Sequence, residues 1–172
     1  RDQQGLGAFR EWRSDQPHPQ ADSEGDVSIY EAAVAMGSAL GSITSPSAPQ
    51  VRVVPPGHGD DRHANRPATC WINLELGAEQ HIDENSASEL VIYTVRFHGW
   101  TAAQNRTAQE MAQKIGTLGA SIVSALQHNT LGGFATRRAI TSEDIGELTY
   151  ETAGEADTAY VVRGDVRIHR QQ

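Results

Sequence analysis

Two alternating stretches joined by a short connection constrain the fold of this chain more than any other feature. In "CWINLEL", residues 70–76, apolar and polar side chains alternate, and "ELVIYTVRFHGW", residues 89–100, repeats the pattern. This period of two is typical of a half-buried β-strand. The connecting residues, "GAEQHIDENSAS", are too few for a crossover helix. The sequence therefore predicts an antiparallel hairpin with a protruding acidic loop.

Two helices with recognisable starts are predicted on either side of this hairpin in the chain. The first begins with the capping-box pair Ser28 and Glu31 and ends at the prolines of "TSPSAP". The second begins with the pair Thr107 and Glu110 and carries an apolar stripe at helical spacing. The glycines of "GTLGAS" lie inside this second helix, where each costs about 1 kcal/mol relative to alanine, a cost that is tolerable if a neighbouring element approaches closely there.

The remaining segments complete a predicted α+β fold. "VRVVPP" predicts a short strand, "FATRRAIT" another strand, and "TAYVVRGDVRIHR" a long half-buried strand at the end of the chain. Residues 141–157 hold six acids and no Lys or Arg, which is typical of a solvated loop or flap. We expect a mostly antiparallel sheet with two main helices packed on one face.

The chain divides into an arm and one domain. Residues 1–27 are rich in Gln, Pro, Gly, Asp and Ser, a composition that cannot bury enough apolar surface to offset chain entropy, so they predict an extended N-terminal arm. Phe9 and Trp12 are large aromatic groups on this arm, and they either anchor it on a neighbouring subunit or tuck against their own domain. Residues 28–172 are predicted to form a single domain.

Charge and composition disfavour several classes of protein. The formal charge is −8, and 13 of the 14 basic residues are arginine, so binding of nucleic acid through a basic face is not expected. Arginine instead suits fixed, bidentate contacts between protein surfaces. No apolar run approaches the roughly 20 residues of a membrane span, and no signal peptide is visible. We expect a soluble protein that does not bind membranes and is made in the cytoplasm of its host.

The stretch "HGDDRH" holds possible metal ligands in His58, Asp60, Asp61 and His63. Metal sites need side chains that are held in place by further hydrogen bonds, and this stretch lies in a loop rich in Gly and Pro. A polar surface loop without metal is therefore the favoured interpretation.

His98 and Cys70 are the other candidates for chemistry. His98 lies near a strand end and could act as a general base, but no nucleophile or phosphate-binding motif accompanies it. Cys70 lies in a predicted strand and is expected to be a packed thiol. We expect no enzymatic activity and no cofactor, and a small metal-dependent hydrolase using "HGDDRH" and His98 remains the alternative.

The order of elements resembles a known family. Helix, strand, "RPATCWINLELGAEQHIDENSASELVIYTVRFHGW" as a hairpin, capped helix and "ITSEDIGELTYETAGEADTAYVVRGDVRIHR" as acidic loop and last strand are similar to the lambda-type tail terminator proteins of long-tailed bacteriophages. The resemblance covers about residues 28–170. It implies a hexameric ring that caps the tail tube, stops its polymerisation and meets the head-to-tail connector or stopper protein. Such a protein resides in the virion, at the head-proximal end of the tail.

A ring of this kind needs two different faces that complement each other, and acidic loops and arginine-bearing strands could supply them. Acidic loops that line the channel would also repel DNA phosphates, so that DNA passes through without sequence-specific binding. Another ring protein of the head-to-tail neck is the closest alternative. The expected subunit or partner interface consists of two arm aromatics, acids of the two loops and arginines near the last strands: Phe9, Trp12, Glu79, Asp83, Glu84, Arg137, Arg138, Glu143, Asp144, Arg163 and Arg167.

Overall fold

A computed structural model describes residues 27–61, 70–85, 88–102, 107–153 and 159–172. The elements follow in the order α1 (Ile29–Leu40), β1 (Gln50–Val54), β2 (Cys70–Asn85), β3 (Ser88–Ala102), α2 (Ala108–Leu126), a short 3-10 turn (Ser142–Asp144), β4 (Thr149–Ala153) and β5 (Ala159–Gln171). The proposed arm therefore lies outside the described residues, except for Val27, and so does His63.

The five strands form one mixed sheet in the order β1-β2-β3-β5-β4. β1 pairs with β2 in parallel, and every other neighbouring pair is antiparallel. This confirms the predicted α+β class with a mostly antiparallel sheet. Among the described residues, no helix is both long and apolar enough to cross a membrane.

Both helices begin where their capping pairs predict. The amide of Thr107 donates to Oε2 of Glu110 at 2.8 Å, and the Thr107 hydroxyl accepts from the Glu110 amide at 3.2 Å. At the start of α1, the Ser28 amide donates to Oε2 of Glu31 at 2.9 Å. These bonds satisfy amides that the first helical turn leaves without backbone partners.

One continuous core lies between the helices and a single face of the sheet. Met36 and Leu40 of α1 and Leu118 and Ile122 of α2 are fully buried there, as is Phe97 of β3. Cys70 is also buried in this core, as predicted. Because both helices cover the same face, the opposite face of the sheet carries polar side chains such as Asn73, Glu75 and Arg96, together with a small apolar cluster of Trp71, Trp100, Ala159 and Val161. We call this second side the open face.

The hairpin differs from its prediction. β2 continues to Asn85 and β3 begins at Ser88, so most of the predicted loop is strand. An extra residue, Gly77, lies between the partners Leu76 and Ala78 and forms a β-bulge. The bulge interrupts the alternation on which the sequence analysis depended, and the acidic composition beyond it resembled a loop.

Two further predictions near the C-terminus were wrong. Residues 134–141 are not a strand, because the turn at Leu131, Gly132 and Gly133, each with positive φ, leads the chain into an irregular path along β5. Residues 149–153, assigned to a loop, instead form β4 and pair with the first half of β5. Backbone pairing with β5 overrides the acidic composition of that segment.

The close approach predicted at the glycines of α2 occurs at one of them. A Cβ built on Gly119 would lie 2.5 Å from the Tyr150 hydroxyl, so only glycine accommodates this contact as it stands. At Gly116 a Cβ would meet nothing within 4 Å. Gly119 thus allows β4 to reach over the side of α2.

Candidate functional site

The middle of the open face carries a network of charged side chains. In one row across the sheet, Asn73 of β2 is the partner of His98 on β3, which in turn is the partner of Arg163 on β5. In the next row, Glu75, Arg96 and Asp165 are aligned in the same way. Residues two apart on a strand share a face, so the alternation of these strands places the two rows side by side.

The loop after β1 folds back over these rows. The Gly57 amide donates to Oε1 of Glu75 at 2.8 Å, and the buried Asn73 amide donates to the carbonyls of Gly59 at 2.8 Å and Asp61 at 3.1 Å. A Cβ on Gly59 would overlap the His98 ring and the Glu75 carboxylate. Glycine at this position therefore permits the loop to lie directly on the sheet.

His98 is the centre of the network. It is 4% exposed, with Nδ1 3.0 Å from Oδ1 of Asp60 and Nε2 2.9 Å from Oε2 of Glu75. The Arg163 Nε atom also lies 3.2 Å from Nδ1. The neutral tautomer that donates from Nε2 to Glu75 leaves Nδ1 to accept from Arg163, whereas the protonated ring donates to both carboxylates.

Arg163 extends the network to the edge of the sheet. Its guanidinium donates to Asp60 at 2.8 Å and pairs with Glu151 of β4. In the adjacent row, Nε of Arg96 lies 2.8 Å from Oδ1 of Asp165. These bonds join the loop after β1, the central strands and β4 into one unit.

The charges around Asp60 and Glu75 favour their ionised forms. Burial opposes ionisation of Asp60, but hydrogen bonds and positive charge from Arg163, assisted by His98, hold the pKa of its carboxyl below its ordinary value. Burial also opposes ionisation of Glu75, but hydrogen bonds from the Gly57 amide and from His98 lower the pKa of that carboxyl. Both carboxylates therefore stabilise the docked loop through charge-assisted bonds.

A cleft of about 630 Å³ opens beside this network. Among the described residues, the hydrogen-bond partners of His98 are the two carboxylates and the guanidinium, and no group of three His, Cys, Asp or Glu side chains is arranged to hold a metal ion. The arrangement can clamp the loop to the sheet.

Asp60, His98 and Arg163 stand out separately in the sequence, and the structure brings them together. Glu75 and Glu151, the carboxylates that complete the network, were not predicted to belong to a site. The position of Glu75 could have been predicted, since it lies on the polar side of an alternating strand, the same side as Asn73. Glu151 lay in a segment that was assigned to a loop, so its position beside Arg163 could not be inferred.

The predicted acidic loop forms a charged strand edge instead. Glu79 and Asp83 lie on β2, and His81 lies between them, with Nε2 2.8 Å from Glu79 and Nδ1 2.6 Å from Glu89. These hydrogen bonds, first to Glu89 and then to Glu79, raise the pKa of the His81 imidazole. Glu84 is also in β2, but its side chain lies outside the described part of the chain.

Asp144 is not a surface group in the subunit. Its side chain is fully buried. The carboxylate accepts hydrogen bonds from the amide and hydroxyl of Thr141 and from Arg138 at 2.8 Å. It also lies 3.0 Å from Nε2 of His169. Burial opposes its ionisation, but the Thr141 hydrogen bonds and the charges of Arg138 and His169 lower the pKa of its carboxyl. Asp144 thus anchors the segment before β4, and its predicted place at an interface is not supported by its burial.

The other predicted interface residues fall in three groups. Arg137, Glu143 and Arg167 are exposed near β5, and Arg167 donates to the Glu143 carbonyl at 2.5 Å. Arg163 belongs to the network of the open face. Phe9 and Trp12 lie outside the described residues.

Comparisons of the sequence with models of known protein families and with curated proteins find no match.

Proposed function

We propose that this protein is a virion structural protein of the tail terminator type, which forms a ring, caps the tail tube and joins it to the head connector. The observation that carries this proposal is the incomplete edge of the sheet at β2. β1 pairs with β2 only from Trp71 to Glu75, while β2 continues to Asn85. In the described chain, no strand covers the remaining edge.

An uncovered strand edge favours contact with another polypeptide. Every second residue along it directs its backbone amide and carbonyl away from the sheet, where they pair readily with a partner, and proteins that stay monomeric usually shorten or cover such edges. Here the edge is long, since β2 continues for ten residues beyond its last partner on β1. These features suit a subunit whose working surface is made for other protein subunits, as the terminator role requires.

A tube-capping experiment tests the proposal. The purified protein is mixed with polymerising tail tube protein from the same virus, and tube lengths and ends are measured by electron microscopy. We expect added protein to halt elongation and to appear as a ring at one end of each tube. Tubes that elongate at an unchanged rate and carry no ring would refute the terminator role.

The closest alternative is another ring of the head-to-tail neck. A neck protein of that kind would bind the connector or a completed, capped tail but would leave bare tube ends free to grow. Adding the protein to bare tubes and to capped tails in parallel separates the two roles. Detecting the protein in purified virions supports both, and its absence from them contradicts both.

The contact between Asp60 and His98 keeps a hydrolase as a second candidate. The two residues lie beside the cleft and are close enough to exchange a proton, and a catalytic role would require Nε2 of His98 to leave Glu75 and face the cleft. Metal analysis of the purified protein, together with hydrolysis assays on ester and phosphoester substrates, tests this candidate. Activity that His98→Gln abolishes would support an enzyme, whereas no turnover with or without added metal ions would exclude this use of the cleft.

A further inference from the structure

We infer that neighbouring copies of this chain pack head to tail through the helical layer, with Tyr30 and Val34 of α1 of one copy in the cleft between α2 and β4 of the next. This inference rests on the ring-forming function proposed above and assigns the contact between subunits to a surface apart from the β2 edge. Three observations carry it: an outer layer that is nearly free of charge, a projecting pair of side chains at one edge of that layer, and a cleft at the other.

The helical layer holds few charged residues. Residues 32–51 and 115–136 contain no Asp, Glu, Lys or Arg, although these types make up 21% of the chain. The two ranges include most of both helices. A helix at a free surface usually carries charges on its outer side, whereas the centre of a protein interface is depleted of them. The outer side of this layer therefore has the composition of a surface that another protein covers.

The exposed apolar side chains lie on the same layer. In the described chain, the large hydrophobic residues that are exposed are Tyr30, Val34 and Tyr150, at 56%, 44% and 49%. Tyr30 and Val34 are one turn apart on α1, and Tyr150 reaches from β4 over the side of α2. Tyrosine is enriched at protein interfaces, because it combines an apolar ring with a hydroxyl that forms hydrogen bonds. The three residues thus mark two places on the layer, one at α1 and one between α2 and β4.

Tyr30 and Val34 project at the β1 edge of the layer. α1 lies over β1, β2 and β3, whereas α2 lies over β3 and β5. Gly37 shares a flank of α1 with Tyr30 and Val34, because all three stand at helical spacing. A Cβ built on Gly37 would lie 3.6 Å from Cγ1 of Val51 on β1. That flank therefore faces the β1 side of the subunit and is turned away from α2.

A cleft of about 460 Å³ opens at the opposite edge, between α2 and β4. Its floor consists of small residues one turn apart on α2, Gly116, Ala120 and Ser124, and its wall includes Leu148 and Tyr150. A Cβ on Gly116 would meet nothing within 4 Å, so the floor is open. Clefts of roughly 300 to 1,000 Å³ hold groups larger than a single side chain. This cleft can therefore receive a tyrosine and a valine together.

The projecting pair and the cleft suit a contact that repeats from copy to copy. Two helices side by side are roughly 20 Å across, so the two surfaces are too far apart to meet within one subunit. When copies stand edge to edge, the β1 side of one faces the β4 side of the next. Each copy carries both halves of the contact, so one heterologous contact repeated around a ring covers both surfaces of every subunit. The polar rim of the cleft, with Gln127 and His128, suits the hydroxyl of Tyr30.

Complementary charges placed in the contact test the inference. Val34→Asp puts a carboxylate against the uncharged cleft, and Ala120→Arg puts a guanidinium inside it. Each variant alone should therefore associate at least roughly tenfold more weakly than the parent protein. A mixture of the two should restore association, since one contact then pairs opposite charges and the next is the parent contact. Both changes in one chain should restore it as well. Sedimentation velocity and native mass spectrometry report the association, and circular dichroism reports folding.

A control position and a covalent readout complete the design. His58→Asp and His58→Arg place the same charges on the exposed loop of the open face and should leave association unchanged. Val34→Cys with Ala120→Cys should give a ladder of oxidised oligomers, measured in solution at high protein concentration and again on tail tubes. Val34→Cys with His58→Cys should not. Unchanged association of both single charge variants overturns the inference, as does failure of both the mixture and the double variant, or a ladder no stronger than that of the control in either setting.

Two other occupants of these surfaces would give different results. If the N-terminal arm filled the cleft, Phe9→Ser with Trp12→Ser would abolish association while Val34→Asp would not. If the tail tube or the connector covered the helical layer, Val34→Asp would leave rings intact but prevent capping. Either result overturns the inference.

The outcome is distinguishable from that of the function test. If the parent protein caps tail tubes and both single charge variants assemble and cap as it does, the terminator role stands and the helical layer is not the interface. If the charge pair rescues assembly but the rings never cap tubes, the interface stands and the terminator role is wrong.

Discussion

The Nδ1 atom of His98 lies 3.0 Å from a carboxylate oxygen of Asp60, and this contact fastens the loop after β1 to the middle of the sheet. The loop would otherwise have few apolar contacts to hold it. Because His98 also bonds Glu75, whose side chain is only 12% exposed, its removal would leave this carboxylate with the Gly57 amide as its remaining donor among the described residues.

We therefore expect His98→Ala to lower the free energy of unfolding by about 2 to 4 kcal/mol. Urea denaturation followed by tryptophan fluorescence measures the change. His58→Ala is the matched control, since the His58 side chain is exposed and, among the described residues, bonds the exposed Asp61 side chain. That change should alter stability by less than about 0.5 kcal/mol. Equal effects of the two substitutions would contradict the clamping role of His98.

Stability should fall as the solution is acidified, because Asp60, Glu75 and Asp144 all have lowered pKa values. A carboxyl whose pKa is lower in the folded state contributes stability that is complete above its unfolded pKa. That contribution is lost as the pH falls through the folded value. Unfolding midpoints measured from about pH 6 to about pH 3 test this direction. A midpoint that rises on acidification would contradict it.

Asp144→Asn isolates one part of that acid dependence. The amide keeps the shape of the side chain but loses its charge, so we expect a loss of about 2 kcal/mol at neutral pH. The slope of stability against pH should also become flatter, since one shifted carboxyl is gone. Ser142→Ala, at an exposed neighbouring position, should preserve the slope. An unchanged slope in Asp144→Asn would show that this carboxyl is not coupled to folding.

The two glycines of α2 should respond differently to alanine. Gly116→Ala adds a methyl group into open space and should stabilise the fold by about 0.5 to 1 kcal/mol through helix propensity. Gly119→Ala gains the same propensity but pushes against the Tyr150 ring, so its net effect should be at least about 1 kcal/mol less favourable. In a Tyr150→Ser background the difference should largely disappear. Equal effects in the parent protein would contradict the contact.

Cys70 should be inert while the protein is folded. Burial raises the pKa of its thiol to about 11, although the Lys114 charge and a hydrogen bond with Ser47 act in the opposite direction. Because the thiolate is the reactive species, labelling at about pH 8 should proceed only through unfolding. The exposed variant Ser38→Cys provides the matched rapid reaction. Labelling of Cys70 at a comparable rate without denaturant would disprove its burial.

Local patterns predicted the parts of this fold that local chemistry determines. The capping pairs located both helix starts, and the alternation of Cys70, Ile72 and Leu74 identified the buried side of β2. The parallel pairing of β1 was not predicted, because it depends on which strand β1 meets after α1. β4 was missed for a related reason: its pairing with β5 is visible only when the two are brought together.

The candidate site divides in the same way. In the sequence, Asp60 and His98 were separate candidates for chemistry, one in a loop and one near a strand end. Their contact joins segments 38 residues apart, so it could not be inferred from either segment alone. The burial of Asp144 could not be predicted from the sequence either, since its partners His169 and Arg138 come from different segments. Such networks arise from register across the sheet, which no short motif encodes.

The extra residue in β2 determines which face of the sheet each later residue of that strand occupies. A Cβ on Gly77 would lie 2.5 Å from the Thr94 carbonyl, so glycine is what lets the strand take in one residue more than its neighbour. That insertion exchanges the two faces of the sheet for every later residue of β2. It places Glu79 and Asp83 on the side of the helices and Ile82 on the other. Without the bulge, Ala78, Gln80 and Ile82 would lie on the side of the helices, and Glu79, His81 and Asp83 would lie on the open face.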